Sequence, residues 1–446
     1  MTEAQEIRDS SLERLEDQPR VPGMLRALRH RNFQLFFSGQ MISLIGTWMQ
    51  TVAQSWLVYR LTGSSLLLGV VGFAGQIPVF LLAPVGGMAA DRWNRHRVVI
   101  GTQVSSMILA FILASLTLLH IVRVWEIVVL AGLLGAVNAF DIPARQSFLI
   151  DMVGREDLMN AIALNSSMFN GARVIGPAIA GLLVAWIGEG WCFFANAVSY
   201  IAVIAGLLLM KLGPLRQMMT DVSPFEHIAE GFRFVQRTRP ILALMLLIGL
   251  VSLVAVPYSV LMPIFADRIL HGGARGLGIL MGATGIGALL GALTLAMRRG
   301  VHGLGRWVGL SAMSFGASLI LFSFSRWFWL SMILLVPVGY SVMLQMSSSN
   351  TLIQAMVPDE LRGRAMAAYT MMFMGMAPMG SLFAGALADR IGAPWTVAIG
   401  GMGAVVGSLV YLRKLPGLRF EARQLIAVQG LGESESVKEM SARGIS

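Results

Sequence analysis

The chain has 446 residues, 56% of them hydrophobic and 13% charged, with a mean hydropathy of +0.70 and a net charge of +10. A soluble globular chain carries about 25% charged residues, so that class is excluded, and basic residues gathered at the ends of apolar runs argue against nucleic acid as a partner. With one cysteine, Cys192, no disulfide can form within the chain.

Residues 1–32 are polar and charged, with no apolar core ahead of a small-residue cleavage site, and are expected to form a cytoplasmic tail. Apolar runs follow, and about 20 such residues suffice to cross the hydrocarbon core as a helix. They predict twelve spans, near 33–59, 65–90, 98–120, 125–147, 160–187, 191–211, 240–266, 276–297, 305–325, 327–351, 364–388 and 394–412. An even number puts both termini on one side. Lys and Arg near span ends number 22 on that side and 6 on the other, and the excess of positive charge marks it as cytoplasmic. The expected product is a multi-pass protein of the bacterial inner membrane with both termini inside.

The first span carries Gln40, Thr47, Gln50 and Gln54. Thr47, Gln50 and Gln54 fall on one helix face, a polar stripe expected to border a cavity. Trp56 and Tyr59 read instead as interface anchors. Between the second and third spans lies "GGMAADRWNRHR", which packs Asp91, Arg92, Arg95, His96 and Arg97 between charge-free runs at 61–90 and 98–119. The arginines set orientation. Asp91 does not, because an acid is no help to the positive-inside rule. In the fourth span Asp141 and Arg145 stand at i and i+4, where they either pair on one face or serve proton coupling. Glu126, Glu189 and Asp267 fall at external span ends.

Arg173 is the sharpest signal. It stands in the otherwise uncharged run 161–188, near the bilayer midplane at a rise of about 1.5 Å per residue. A charge there costs about 2.5–3.5 kcal/mol, and such residues normally face the bundle interior or a wet cavity. It is either a structural arginine bonding backbone carbonyls or an anion or coupling site. The following "GPAIAG" brings Gly176, Pro177 and Gly181, which make a kinked, closely packed helix.

The sequence also repeats. Residues 152–188 align without gaps on 356–392 at 14 of 37 positions, including Gly171/Gly375, Gly176/Gly380, Gly181/Gly385 and Gly188/Gly392. Small residues permit close helix approach in lipid. Four in register suggest a duplicated six-span unit, a plan that places a substrate site between its halves. The charges are not duplicated: Arg173 maps to Ala377 and Asp141 to Gln345. The expected fold class is an all-α membrane protein with twelve transmembrane helices in two pseudo-symmetric six-helix bundles. Its parts would be tail 1–32, bundle 33–211, linker 212–239, bundle 240–412 and tail 413–446, the last with little predictable structure. In the linker, "SPFE" at 223–226 fits a capped helix start. The basic amphipathic stretch after it fits either a membrane-surface helix or a solvated one.

On these residues the chain resembles the major facilitator superfamily. Gly87, Asp91, Arg92, Arg95 and Arg97 match or adjoin that family's cytoplasmic gating motif, with Asn94 in place of its second glycine. Asn94 is read there as a residue that tolerates a left-handed turn. The resemblance implies that Asp91 caps or pairs with an element of the other half when the cytoplasmic side closes. More narrowly, "SLIGTWMQTVAQSWLVYRLTGSS", the knot and "DIPARQSFLIDMVGREDLMNAIALNSSMFNGARVIGPAIAG" resemble the branch of enterobactin exporters and macrolide efflux proteins. "GPAIAG" is similar to the fifth-span motif of drug antiporters, which implies export. Two departures concern coupling: Thr47 stands where many relatives have Asp, and the fourth span lacks their mid-span basic residue.

The expected function is secondary export of a bulky amphipathic solute, siderophore or drug-like, by alternating access with proton antiport, in a monomer surrounded by lipid. Walls of aromatic and amide side chains, Gln50 and Gln54 on one side and Tyr340, Gln345 and Ser347 to Asn350 in the tenth span, suit such a solute. An importer or facilitator is the alternative within transporters. An enzyme would need a nucleophile with its base, or clustered ligands, and the six His are scattered. A channel would need a filter-like stretch. No phosphate-binding loop of the ATPase type occurs, and no cofactor or metal is expected. Gly282, Gly285, Gly287 and Gly291 have the spacing of a dinucleotide loop, but they lie inside a span and read as packing residues.

Overall fold

The computed structural model describes residues 23–211, 233–298 and 300–442, with side chains to residue 427. All regular structure in them is helical. In chain order the long helices are α1 Arg31–Thr62, α2 Ser65–Arg92, α3 Arg95–Leu118, α4 Val124–Val153, α5 Leu158–Ile187, α6 Glu189–Leu208, α7 Arg239–Ile269, α8 Gly273–Ala296, α9 Leu304–Phe324, α10 Phe328–Met356, α11 Asp359–Ile391 and α12 Ala393–Ala442. Eleven of these described helices are long and apolar enough to cross a membrane. The other is α1, whose polar residues dilute its hydropathy. α7 is α-helical to Val254, continues as 3-10 turns over Val256–Leu261 and ends in a π-helical turn, Phe265–Ile269. Pro257 and Pro263 fall in this stretch, and a proline removes an N–H from the helical ladder.

Local chemistry sets the helix ends. Gly63 closes α1 in the left-handed conformation (φ 61°), and Ser64 opens α2 by accepting from the Leu67 N–H. Asn94 is extended rather than left-handed (φ −64°) and caps α3 by accepting from the Arg97 N–H at 3.2 Å. The glycine-like role given to it by resemblance is therefore corrected to that of an N-cap.

The neighbours of each helix follow a pattern. α1 packs on α5 and α6, α3 on α4 and α6, and α2 on α4; α7 packs on α11 and α12, α9 on α10 and α12, and α8 on α10. Between the first six and the last six, the extensive contacts are α2 with α11 and α5 with α8. The duplicated glycines make these contacts possible. A β-carbon added at Gly176 would stand 2.5 Å from Trp48 Cβ on α1, and one at Gly380 would collide with the Leu253 carbonyl on α7. One at Gly181 would lie 2.8 Å from Gly278 Cα on α8, and one at Gly385 2.9 Å from Gly69 Cα on α2. Gly188 and Gly392 end their helices at the same φ of 87°. On α8, Gly285 packs on α5 while Gly287 and Gly291 pack on α10, as the packing reading required.

The two tails differ from expectation. Residues 23–29 form a short 3-10 helix, pinned where α4 meets α5. At the other end the helix does not stop near 412 but continues through Pro416 to Ala442. Leu415, Leu418, Ala422, Leu425 and Ile426 pack on the core from this extension. Their spacing of three and four residues makes one apolar face, so residues 413–427 belong to the packed body. The linker's cap at 223–226 lies outside the described residues.

Candidate functional site

Helices α1, α2, α4, α5, α7 and α8 enclose a cavity of about 410 Å³. Arg173 of α5 is the one charged side chain among the described residues that line it. Trp48, Thr51 and Gln54 border it from α1, Gln76 from α2, Asn138 from α4, Tyr258 from α7 and Thr284 from α8. The guanidinium carbon lies 5.6 Å from the centre of the Trp48 ring, within cation–π range. The structural alternative, an arginine spent on backbone carbonyls, is not what the geometry shows: among the described residues no acid pairs with Arg173 and no carbonyl accepts from it. Pro177 lines the cavity one turn further on, in a helix that runs unbroken through it.

The polar stripe of α1 is divided. Gln54 borders the cavity, but Gln50 is buried and accepts from Asn196 Nδ2 of α6 at 2.6 Å. Thr47 donates to the Ser43 carbonyl and lies 3.5 Å from the Tyr200 hydroxyl of α6. At about 100° per residue the stripe spans some 60° of the helix surface. The boundary between the α6 face and the cavity face runs through it.

Asp141 is buried, 3% exposed. Its Oδ1 accepts from Thr102 Oγ1 at 2.7 Å and Gln103 Nε2 at 2.9 Å on α3, and its Oδ2 is 3.1 Å from Arg145. The i,i+4 pair is thus formed, and Asp141 is bound to Arg145 rather than to Arg173. It stands one turn along α4 from Asn138, which borders the cavity. In the repeat position Gln345 is also buried, with neither end of its amide bonded, and Ser348 and Ser349 beside it are unpartnered among the described residues. Neither Tyr340 nor Gln345 lines the cavity. The Tyr340 backbone packs on Gly287 and Gly291, so the expected second polar wall is supplied by Tyr258 and Thr284 instead.

Around the knot, the glycine that packing demands is Gly86, where a β-carbon would overlap the Ala139 carbonyl of α4; Gly87 faces open space. Arg95 bonds the Ala90 carbonyl and pairs with Asp151 at the end of α4 at 3.4 Å. Arg92 and Arg97 line an outer groove of about 940 Å³ along α3 and α4. Asp91 is exposed, with no ion pair or hydrogen bond among the described residues.

On the face away from the knot, Tyr59 is buried and its hydroxyl donates to Asp267 Oδ2 at 2.7 Å. Arg268 reaches the Gly63 carbonyl at 3.1 Å, and Arg60 pairs with Glu189 at 2.7 Å. Tyr59 is therefore a tie between α1 and α7 and not an interface anchor. On the knot's own face Asp157 is buried and holds Arg29 at 2.9 Å, His30 at 2.8 Å and Arg26 at 3.3 Å. The His30 hydrogen bond, helped by the charges of Arg29 and Arg26 and opposed by burial, holds its carboxyl below the ordinary aspartate range. Sequence reasoning missed Gln76, Thr102, Gln103, Asn138 and Asp157. All but the last are polar side chains inside apolar runs, the signal that singled out Arg173. Among the described residues, no group of three or more His, Cys, Asp or Glu converges as a metal site.

A bundle of membrane-length helices joined through small-residue contacts around a central cavity defines a multi-pass membrane protein of the transporter class. The chain belongs to the family of transmembrane secretion effectors (MFS_3), whose model matches residues 23–443, and with it to the transporters of the major facilitator superfamily, not to the enzymes. It is 28% identical over 379 residues to the staphyloferrin A transporter of Staphylococcus aureus, covering 84% of this chain and 94% of that one. It is equally 28% identical over 362 residues to the multidrug efflux pump Tap of Mycolicibacterium fortuitum, covering 78% and 87%. The fold is similar to that of the solved nucleoside transporter NupG, with a TM-score of 0.66 at 16% identity, over 88% of this chain and 99% of that one.

Proposed function

We propose that the protein is an exporter of bulky amphipathic small molecules, working by alternating access between two pseudo-symmetric six-helix bundles, α1–α6 and α7–α12, of twelve transmembrane helices. The observation that carries this reading is the repeated neighbour pattern. Each extensive packing contact within α1–α6 recurs within α7–α12, and the two sets meet through α2–α11 and α5–α8 around a cavity. Such contacts let one set rock against the other about a central site. The glycine contacts between the sets run from the face bearing Gly63 and Gly188 to mid-depth, at Gly375 with Phe80 and Gly285 with Val174. Asp91, on the opposite face, has no partner among the described residues. This fits a conformation open on the knot's side, in which the gating aspartate has released its partner.

The basic bias supports a cytoplasmic position for that side and for both termini. Export rather than import is supported by the family's description as secretion effectors and by the efflux pump and siderophore transporter among its relatives. For coupling, Asp141 is the carboxylate best placed to carry a proton. It is buried, one turn from the cavity, and balanced by Arg145 alone, so protonation would release that arginine and loosen α3 from α4. The protein works as a monomer in the bacterial cytoplasmic membrane.

Labelled amphipathic solutes in inverted and right-side-out vesicles test this. Accumulation in inverted vesicles alone, abolished when the pH gradient is collapsed, is expected. Accumulation in right-side-out vesicles, or indifference to the gradient, would overturn direction or coupling respectively.

A further inference from the structure

We infer that the central cavity selects organic carboxylates: Arg173 is the recognition residue for a carboxylate-bearing amphiphile. The inference rests on the transporter reading and names the substrate class for its site. A guanidinium offers five N–H donors in a planar fork and does not lose its charge. Here none of those donors is taken by a side chain or carbonyl among the described residues, and no Asp or Glu lines the cavity to neutralise it. The guanidinium interacts electrostatically with Tyr258 and makes a ring contact with the face of Trp48 at 5.6 Å. That contact steadies one face of the ion and leaves the fork's edge open.

Three further observations give the ligand its shape. The cavity, at about 410 Å³, falls within the range of small-molecule sites. Its other polar groups are neutral, the amides of Gln54, Gln76 and Asn138 and the hydroxyls of Thr51, Ser55, Tyr258, Ser259 and Thr284, able to bond a polar body without adding charge. The rest of the wall is apolar, including Val52, Leu134 and Met281. One positive charge in such a wall calls for one negative charge on an otherwise neutral amphipathic solute. The planar fork matches a carboxylate through two parallel hydrogen bonds. The duplicated half lacks the charge, with Ala377 at the equivalent position, so the anion would bind off the pseudo-twofold axis, against α5. Arg173 cannot itself carry the coupling proton. Substrate recognition and proton transfer are then separate, on α5 and on α4.

The experiment uses the full chain in nanodiscs, with empty nanodiscs subtracted, and two probes of one shape: 2-naphthoate and 2-naphthamide. Calorimetric titration is expected to give a dissociation constant about tenfold or more lower for the carboxylate, the scale of a charge-assisted hydrogen-bond pair. R173Q should bring the two probes level and R173K should keep part of the preference, each at normal thermal stability. Equal or undetectable binding of the two probes to the wild-type protein, or a preference that survives in R173Q, would overturn the assignment. Vesicle transport separates this from the exporter reading. A carboxylate preference without outward transport would sink the exporter alone. Gradient-driven export that treats both probes alike and is untouched in R173Q would sink the carboxylate site alone.

Discussion

Helices α5 and α11 occupy equivalent places and have been treated differently. Both carry glycines in register: Gly176 and Gly380 against the first helix of their own set, Gly181 and Gly385 against the second helix of the other. Both end in a glycine at φ 87°. Yet α5 brings Arg173 to the cavity, and α11 has Ala377 there. The α4 and α10 pair repeats the lesson, with Asp141 and Arg145 bonded in one and the Gln345 and Ser349 side chains without a partner among the described residues in the other. Backbone approach is a property that a rocking mechanism needs twice, once at each interface, so the small residues persist in both copies. A charge in the membrane is costly, and a single site needs it once.

The comparison is broken most severely at the shared glycines. Gly181→Val, whose branched side chain would drive into Gly278 on α8, is expected to reduce transport to background. Overpacking of this kind typically costs about 1–3 kcal/mol, and in the proposed alternating-access cycle it would fall on an interface that moves. Gly171→Ala, with nothing within 4 Å of its β-carbon, should leave transport within about twofold. If both variants transport equally, the contact does not matter to function. Next in size is Asp141→Asn, which keeps the shape and can still accept from Thr102. Gradient-driven accumulation in vesicles should fall by about an order of magnitude or more, while exchange across vesicles without a gradient persists. Loss of both would make Asp141 structural.

Asp91→Asn should slow transport several-fold with the protein at normal level in the membrane. A helix-terminus or ion-pair contact in the closed state is worth about 1–2 kcal/mol, a factor of about 5–30. Wild-type rates would retire the gating role. The smallest effect concerns the Asp157 anchor, which has no acid at the aligned position, Leu361. A carboxyl held below its ordinary value adds stability that is present above the unfolded value near 3.9 and is lost as pH falls through the folded one. Hydrogen exchange over residues 23–30 should therefore stay slow from neutral pH to about pH 5 and rise only below about pH 4. Asp157→Ala should expose the segment at every pH. Protection unaffected by that substitution would mean that the ion pairs do not hold the segment.

Much of this protein was legible in one dimension. Hydropathy located the helix starts to within a few residues, though not the end of α12, because lipid requires a long apolar run for each crossing whatever surrounds it. Register located the repeat, because close helix approach in lipid needs small residues at fixed spacing. Arg173 stood out because a charge within such a run is expensive wherever the helix lies. Packing decided what spacing could not. Rotation of α1 turned Gln50 to Asn196 and left Gln54 at the cavity. The approach of α3 gave Asp141 its Thr102 and Gln103, and α4 required Gly86 rather than its neighbour Gly87. Each of these depends on which face of a helix meets which neighbour, and that is set by the summed contacts of many residues distant in the chain, none of which the local pattern of any one span contains.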